Sequence, residues 1–161
     1  MEHDPISRAV TDLILETFRL NGTLIGAGDE LVADLGLTSA RWQVLGAIRL
    51  EERDLTVAQI ARRMGLTRQS VQRVVKDLEK NGFVRLVENP DHRTAKLVQP
   101  TKKGNSAYDQ AHDRQVAWAR ALGEGMDIES LVSALETLRF LNTRADAGLH
   151  RALAASHLRD G

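Results

Sequence analysis

Seven side chains between residues 67 and 76 are suited to one kind of chemistry: Thr67, Arg68, Gln69, Ser70, Gln72, Arg73 and Lys76. Arginine presents a planar fork of donors that matches the O6 and N7 acceptors of guanine, and glutamine pairs in the same two-point manner with adenine. Gln69, Gln72 and Arg73 are therefore expected to read base edges. Thr67, Arg68, Ser70 and Lys76 suit phosphate oxygens, which fix register without carrying sequence information, and Thr56 joins this contact set. A second group lies at Asp91-His92-Arg93. An arginine on a flexible turn can enter the minor groove, drawn by its negative potential, and a neighbouring carboxylate can hold the guanidinium in position. Arg93 is expected in that role, with Asp91 orienting it. Every one of these residue types is also ordinary on a solvated face or in a plain turn, so the elements that carry them decide the matter.

To act together, these side chains must project from one side of a helix that fits a major groove. Val71, Val74, Val75 and Leu78 fall at the i, i+3, i+4 and i+7 positions of a buried stripe, which leaves Arg68, Gln69, Ser70, Gln72, Arg73, Lys76 and Lys80 on the outside. Thr67 begins that helix and Asn81-Gly82 ends it. Upstream, Thr56 and Gln59 have the spacing of a capping box, Val57, Ile60, Ala61 and Met64 make a short apolar stripe, and Gly65 stops it. Two short helices joined by so brief a turn cannot pack antiparallel and describe a helix-turn-helix. After Gly82 the pattern becomes alternating, through Phe83 to Glu88 and again from Ala95 to Pro100, around the turn residues Asn89-Pro90-Asp91. That is a β-hairpin in the position of a wing.

Helical patterns flank this centre. Asp4-Pro5 caps a first helix carrying Ile6, Val10, Leu13, Ile14 and Phe18, which is expected to fray or end near the Gly22 to Gly28 stretch. A shorter apolar segment, Leu31 to Leu37, leads to Thr38, the cap of a second helix in which Trp42, Leu45 and Ile48 face inward and which ends near Glu51-Glu52. Thr101 caps a long helix to about Leu122; Gly123 to Gly125 interrupts it; Asp127 caps a last one, with Ile128, Leu131, Leu135, Leu138 and Leu141 continuing toward Leu149 and Leu153. The expected fold is mainly α with a small β-hairpin wing (α+β), a winged helix-turn-helix with helical segments from both ends of the chain.

The formal net charge is zero, yet from Arg53 to Lys103 twelve basic residues stand against five acidic ones, so the centre carries +7 and the flanks −7. A basic block between acidic flanks is the footprint of a polyanion-binding surface. The apolar content of 42% is enough for a packed core. With no cysteine in the sequence, disulfides, thiolate metal sites and cysteine-based redox sensing are excluded. No apolar run is long enough to span a bilayer and the residues from Met1 to Arg8 are polar, so a cytoplasmic protein without membrane partners is expected. Gly26-Ala27-Gly28 lacks the third glycine and the strand–helix context of a dinucleotide site, and His3, His92, His112, His150 and His157 show no metal-ligand spacing. No catalytic residue, metal or cofactor is expected.

Leu37-Thr38 with Trp42 and Leu45, then Thr56 to Ala61, Leu66 to Val71, Asp91-His92-Arg93 and Leu97 to Thr101 form a series that resembles the MarR family of transcriptional regulators. The resemblance extends over nearly the whole chain, and its most specific part is the pairing of a recognition helix with an Asp-x-Arg wing. It implies a homodimer on a pseudo-palindromic operator, most often repressing, with dimerisation segments at 1–36 and 102–161 around a DNA-binding domain at 37–101. It also implies release by a small aromatic or phenolic effector bound between the DNA-binding lobe and the helical base. Arg19, Trp42 and Leu45, with residues of the helix after Thr101, are expected to line that pocket; a plain core position for Trp42 is the competing reading. His92 stands where many members carry another arginine, and the branch that senses oxidants through an N-terminal cysteine is excluded. The rival function is a winged-helix module that binds proteins and not DNA.

Overall fold

The computed structural model describes residues 4–51, 53–92 and 94–157, the side chains of 152–157 excepted. The first helix, α1, spans Pro5–Val32 and opens as its sequence requires, with the Ser7 amide donating to Asp4 Oδ2 at 3.1 Å and proline in its first turn. It does not end within Gly22 to Gly28. It runs through all three glycines of that stretch to Val32, and a 3-10 turn at Ala33–Leu35 follows. The reason lies in packing: Gly28 is buried, and a Cβ there would collide with the Ser39 hydroxyl. Ser39 Oγ donates to the Ile25 carbonyl at 2.9 Å and the Ser39 amide donates to Asp29 Oδ1 at 2.6 Å. The glycine thus permits a close approach within a helix whose cost in propensity, about 1 kcal/mol, is offset by those bonds.

The second helix, α2, spans Ser39–Arg49 with Thr38 as its cap, and α3 (Val57–Met64) and α4 (Arg68–Lys80) follow. Helix α4 holds Val71, Val74 and Val75, β-branched residues that each cost a few tenths of a kcal/mol in a helix. Val71, Val75 and Leu78 are fully buried, and burial at about 1.5–3 kcal/mol per side chain outweighs that cost. They meet Val44, Leu45, Ile48, Ile60, Phe83 and Val98 in one apolar core. Arg41 of α2 pairs with Asp77 of α4, its Nε lying 2.7 Å from Oδ2, and its Nη1 donates to the Gly36 carbonyl at 3.0 Å.

Three short strands complete the centre: β1 (Leu55–Thr56), β2 (Val84–Val87) and β3 (Leu97–Pro100), antiparallel in the order β1-β3-β2. The hairpin of β2 and β3 is the expected wing, while β1 was not expected; Leu55 pairs with Val98, which pairs on its other side with Leu86. Helix α5 spans Lys102–Leu122, with the Gly104 amide donating to Thr101 Oγ1 at 3.1 Å. Arg114 of α5 donates to the Leu31 carbonyl at 2.8 Å and grips Asp34, Nη2 to Oδ2, at 2.8 Å. The Arg114 guanidinium holds the Asp34 carboxyl below its ordinary 3.8.

The chain divides into two units at Trp118 and Ala119. In the second, α6 (Ile128–His157) is capped by Asp127, whose Oδ1 accepts from the Ser130 amide at 2.8 Å. The Ser130 hydroxyl and then its amide hold the Asp127 carboxyl below the usual range.

Candidate nucleic-acid interface

The approach to α4 is built from local signals. Thr56 and Gln59 form both halves of a capping box, the Thr56 amide donating to Gln59 Oε1 at 2.8 Å and the Gln59 amide to Thr56 Oγ1 at 3.3 Å. Gly65 then takes a left-handed conformation at φ 63° and the Leu66 amide returns to the Ala61 carbonyl at 2.9 Å, closing α3. Only Leu66 and Thr67 separate that glycine from α4. The Thr67 hydroxyl accepts from the Ser70 amide at 3.1 Å, and Ser70 Oγ donates to the Thr67 carbonyl at 2.8 Å. These two hydroxyls therefore spend hydrogen bonds on starting the helix, and Thr56 does the same for α3.

Arg68, Gln69, Ser70, Arg73 and Lys76 are exposed, whereas Gln72 is half-buried. Gln69, Arg73 and Lys76 follow one another at four- and three-residue steps and so share a face. The helix dipole adds positive potential at the end where Arg68 and Gln69 sit. Such a face, amide and guanidinium groups forward and cations beside them, has the donor pattern that major-groove edges and phosphates accept.

At the wing tip Asn89 Oδ1 accepts from the Asp91 amide at 3.0 Å and the Asn89 carbonyl from the His92 amide at 3.2 Å. Asp91 and His92 are exposed. Arg93, expected in the minor groove, lies outside the described residues. Between the tip and α3 runs a groove of about 500 Å³ that includes Arg53, Thr56, Arg62, Arg68 and His92 among its walls. Arg53 and Arg62 were not among the expected contacts. The signal was their place in the basic block, but which way each faces depends on how the wing folds beside α3.

The three residues expected around an effector do not converge. Leu45 is fully buried in the core, Trp42 is half-buried against it, and Arg19 is exposed on α1, paired with Glu16 at 3.1 Å. Complete burial removes Leu45 from contact with any ligand that the protein admits without repacking. A cleft of about 510 Å³ opens instead between α1, α2 and α4, with Asn21, Ile25, Gln43, Ser70 and Val74 in its walls and without any of the three expected residues. Among the described residues no group of three or more histidines and carboxylates is placed to hold a metal ion. Among the described residues no helix is long and apolar enough to cross a membrane.

A capped helix pair with a glycine turn, followed by a β-hairpin wing that a short strand before the pair extends to three strands, defines a winged helix-turn-helix protein. The model of the MarR family matches residues 35–93. Rv2011c, an uncharacterized protein of Mycobacterium tuberculosis, is 37% identical over 134 residues, covering 83% of this chain and 92% of that protein. Among solved structures, Sco5413, a MarR family transcriptional regulator from Streptomyces coelicolor, is 27% identical, with a TM-score of 0.72 over 86% of this chain and 96% of that one. CouR from Rhodococcus jostii RHA1, solved bound to p-coumaroyl-CoA, is 25% identical, with a TM-score of 0.71 over 80% and 90% of the two chains. The chain belongs to the MarR family of DNA-binding, winged-helix transcriptional regulators.

Proposed function

We propose that the protein is a homodimeric, ligand-responsive repressor that sets one α4 from each subunit into successive major grooves of a pseudo-palindromic operator. The observation that carries this reading is the exposed row Gln69, Arg73 and Lys76 on a helix whose opposite side is fully buried. In this reading Gln69, Gln72 and Arg73 touch bases, Arg68, Lys76 and Arg62 touch phosphates, and Thr67 and Ser70 serve the interface mainly by capping the helix. Arg93 takes the minor groove, with Asp91 beside it. Residues 37–101 form the DNA-binding domain. Dimerisation falls to 1–36 and 102–161, where Ile6 and Phe18 of α1 are 73% and 70% exposed and Leu131, Val132, Leu135 and Phe140 of α6 are exposed as well; apolar surface of that kind is covered by a partner. A two-fold dimer would read half-sites about 10 base pairs apart.

The effector site is placed in the cleft between α1, α2 and α4, because a ligand there touches Ser70 and Val74 on the recognition helix itself. A small aromatic or phenolic compound suits its mixed apolar and amide walls, which hold no cation; CouR was solved with p-coumaroyl-CoA, which carries a phenolic ring. Titration of the protein on genomic fragments across a range of salt concentrations tests the reading. Specific binding that weakens steeply with salt is expected. No binding, or binding indifferent to salt, sinks it and favours a protein-binding module.

A further inference from the structure

At the base of the wing a cleft of about 760 Å³ opens between the end of α2, the sheet and the start of α5, with Arg53 and Asp54 forming walls of both this cleft and the groove beside the tip. Four of its lining side chains are cations, Arg49, Arg53, Arg85 and Lys102, against a single carboxylate, Asp54. That carboxylate is already engaged: Gln99 Nε2 donates to Asp54 Oδ2 at 2.7 Å, and Gln99 Oε1 accepts from Arg85 Nε at 2.7 Å. The register that sets Arg85 opposite Gln99 and Leu55 opposite Val98 lays these side chains in a row across the three strands. The row fixes which end of the Gln99 amide meets Arg85. It also holds the guanidinium by Nε, and among the described residues no protein acceptor engages its two terminal nitrogens. Arg49 pairs with Asp109 at 3.0 Å, and Arg53 with Glu51 at 3.2 Å, a carboxylate that Arg63 also engages, so the cations of the cleft without an ion pair among the described residues are Arg85 and Lys102. Thr101 caps α5 at the same place and adds the positive end of a helix.

We propose that this cleft binds a phosphate-bearing small molecule, with Arg85 and Lys102 gripping its phosphate oxygens. The bidentate fork of a pre-oriented arginine matches two phosphate oxygens at once. The volume falls within the range of about 300–1,000 Å³ usual for small-ligand sites. Continuous DNA is a poorer occupant. Six residues of chain lead from Arg85 to Asp91 at the tip, about 20 Å at ~3.3 Å per residue. A duplex seated on α4 and the tip, stiff over ~150 base pairs, does not fold back that far. The site adds an input distinct from the proposed effector cleft and does not depend on it.

The test is calorimetric titration of the full-length protein with inorganic pyrophosphate and, separately, ADP, at about 150 mM salt so that diffuse attraction is screened. Saturable binding is expected, weakened at least about tenfold, or ~1.4 kcal/mol, in Arg85→Gln and in Lys102→Gln and unchanged in Arg73→Gln. Both cleft variants should keep the parent melting temperature and affinity for genomic DNA. If Arg85→Gln fails to fold, the exposed Lys102→Gln decides. Absence of saturation up to about 10 mM, equal binding by both cleft variants, or loss of binding in Arg73→Gln overturns the proposal. So does a cleft variant that flattens the salt dependence of DNA binding by about one unit, which would make the cleft a DNA-phosphate contact.

Discussion

Arg73 and Gln69 stand one turn apart on the exposed side of α4, and Lys76 lies a further turn on, so the base-reading and phosphate-binding roles proposed for them can be separated by single substitutions. Arg73→Ala should weaken the specific site by about 1–3 kcal/mol and relax preference at one base position. Lys76→Ala should weaken all sequences alike and lower the slope of log affinity against log salt by about 1; a competition assay with mismatched operators separates the two outcomes. Asp34 offers a test independent of DNA. Its folded-state value is depressed by Arg114, so its contribution is present above the unfolded value near 4 and is lost as pH falls through the folded value. Asp34→Asn should lower the melting temperature above about pH 4, and the gap from the parent should close as pH falls below that value. At this scale the sequence was readable wherever a side chain answers to its own neighbours: Thr56 with Gln59, Thr67 with Ser70, Asp127 with Ser130. It was not readable where a role depends on a distant segment, as for Arg114 meeting Asp34 across 80 residues.

Among the elements, α3, α4 and the β2–β3 hairpin stood out in the sequence because each is patterned and punctuated locally. Strand β1 did not, because two residues carry no period and exist as a strand only by pairing with β3. The length of α1 was misread for a related reason. Glycine is a poor helix former, but Gly28 sits where Ser39 needs the space that a side chain would fill. Gly104 makes the same point at the other end of the centre. A Cβ there would run into the Phe83 carbonyl oxygen, which is backbone and already accepts from the Thr101 amide at 3.0 Å and the Thr101 hydroxyl at 3.2 Å. Gly104→Ala should therefore cost at least about 1–3 kcal/mol, seen as a melting temperature lower by several degrees at ~2–4 °C per kcal/mol. A variant as stable as the parent would mean that α5 shifts freely against the wing.

For the molecule as a whole, zero net charge conceals a division between a basic centre and acidic flanks, which favours approach to DNA in one orientation. If the exposed apolar residues of α1 are an interface between subunits, Phe18→Glu should produce monomers by analytical ultracentrifugation and abolish high-affinity operator binding while sparing the winged domain's circular dichroism. A dimer of undiminished stability would move the interface elsewhere. The tie between Arg41 and Asp77 has a bearing on how such a protein changes over generations. With α4 anchored to α2 through Asp77 and to the core through Val71, Val75 and Leu78, its pose is set by residues that never face DNA. Gln69, Arg73 and Lys76 are then at liberty to drift. If those residues read DNA as proposed, a lineage can acquire a new operator by altering those few letters, while the packing that aims the helix is inherited intact.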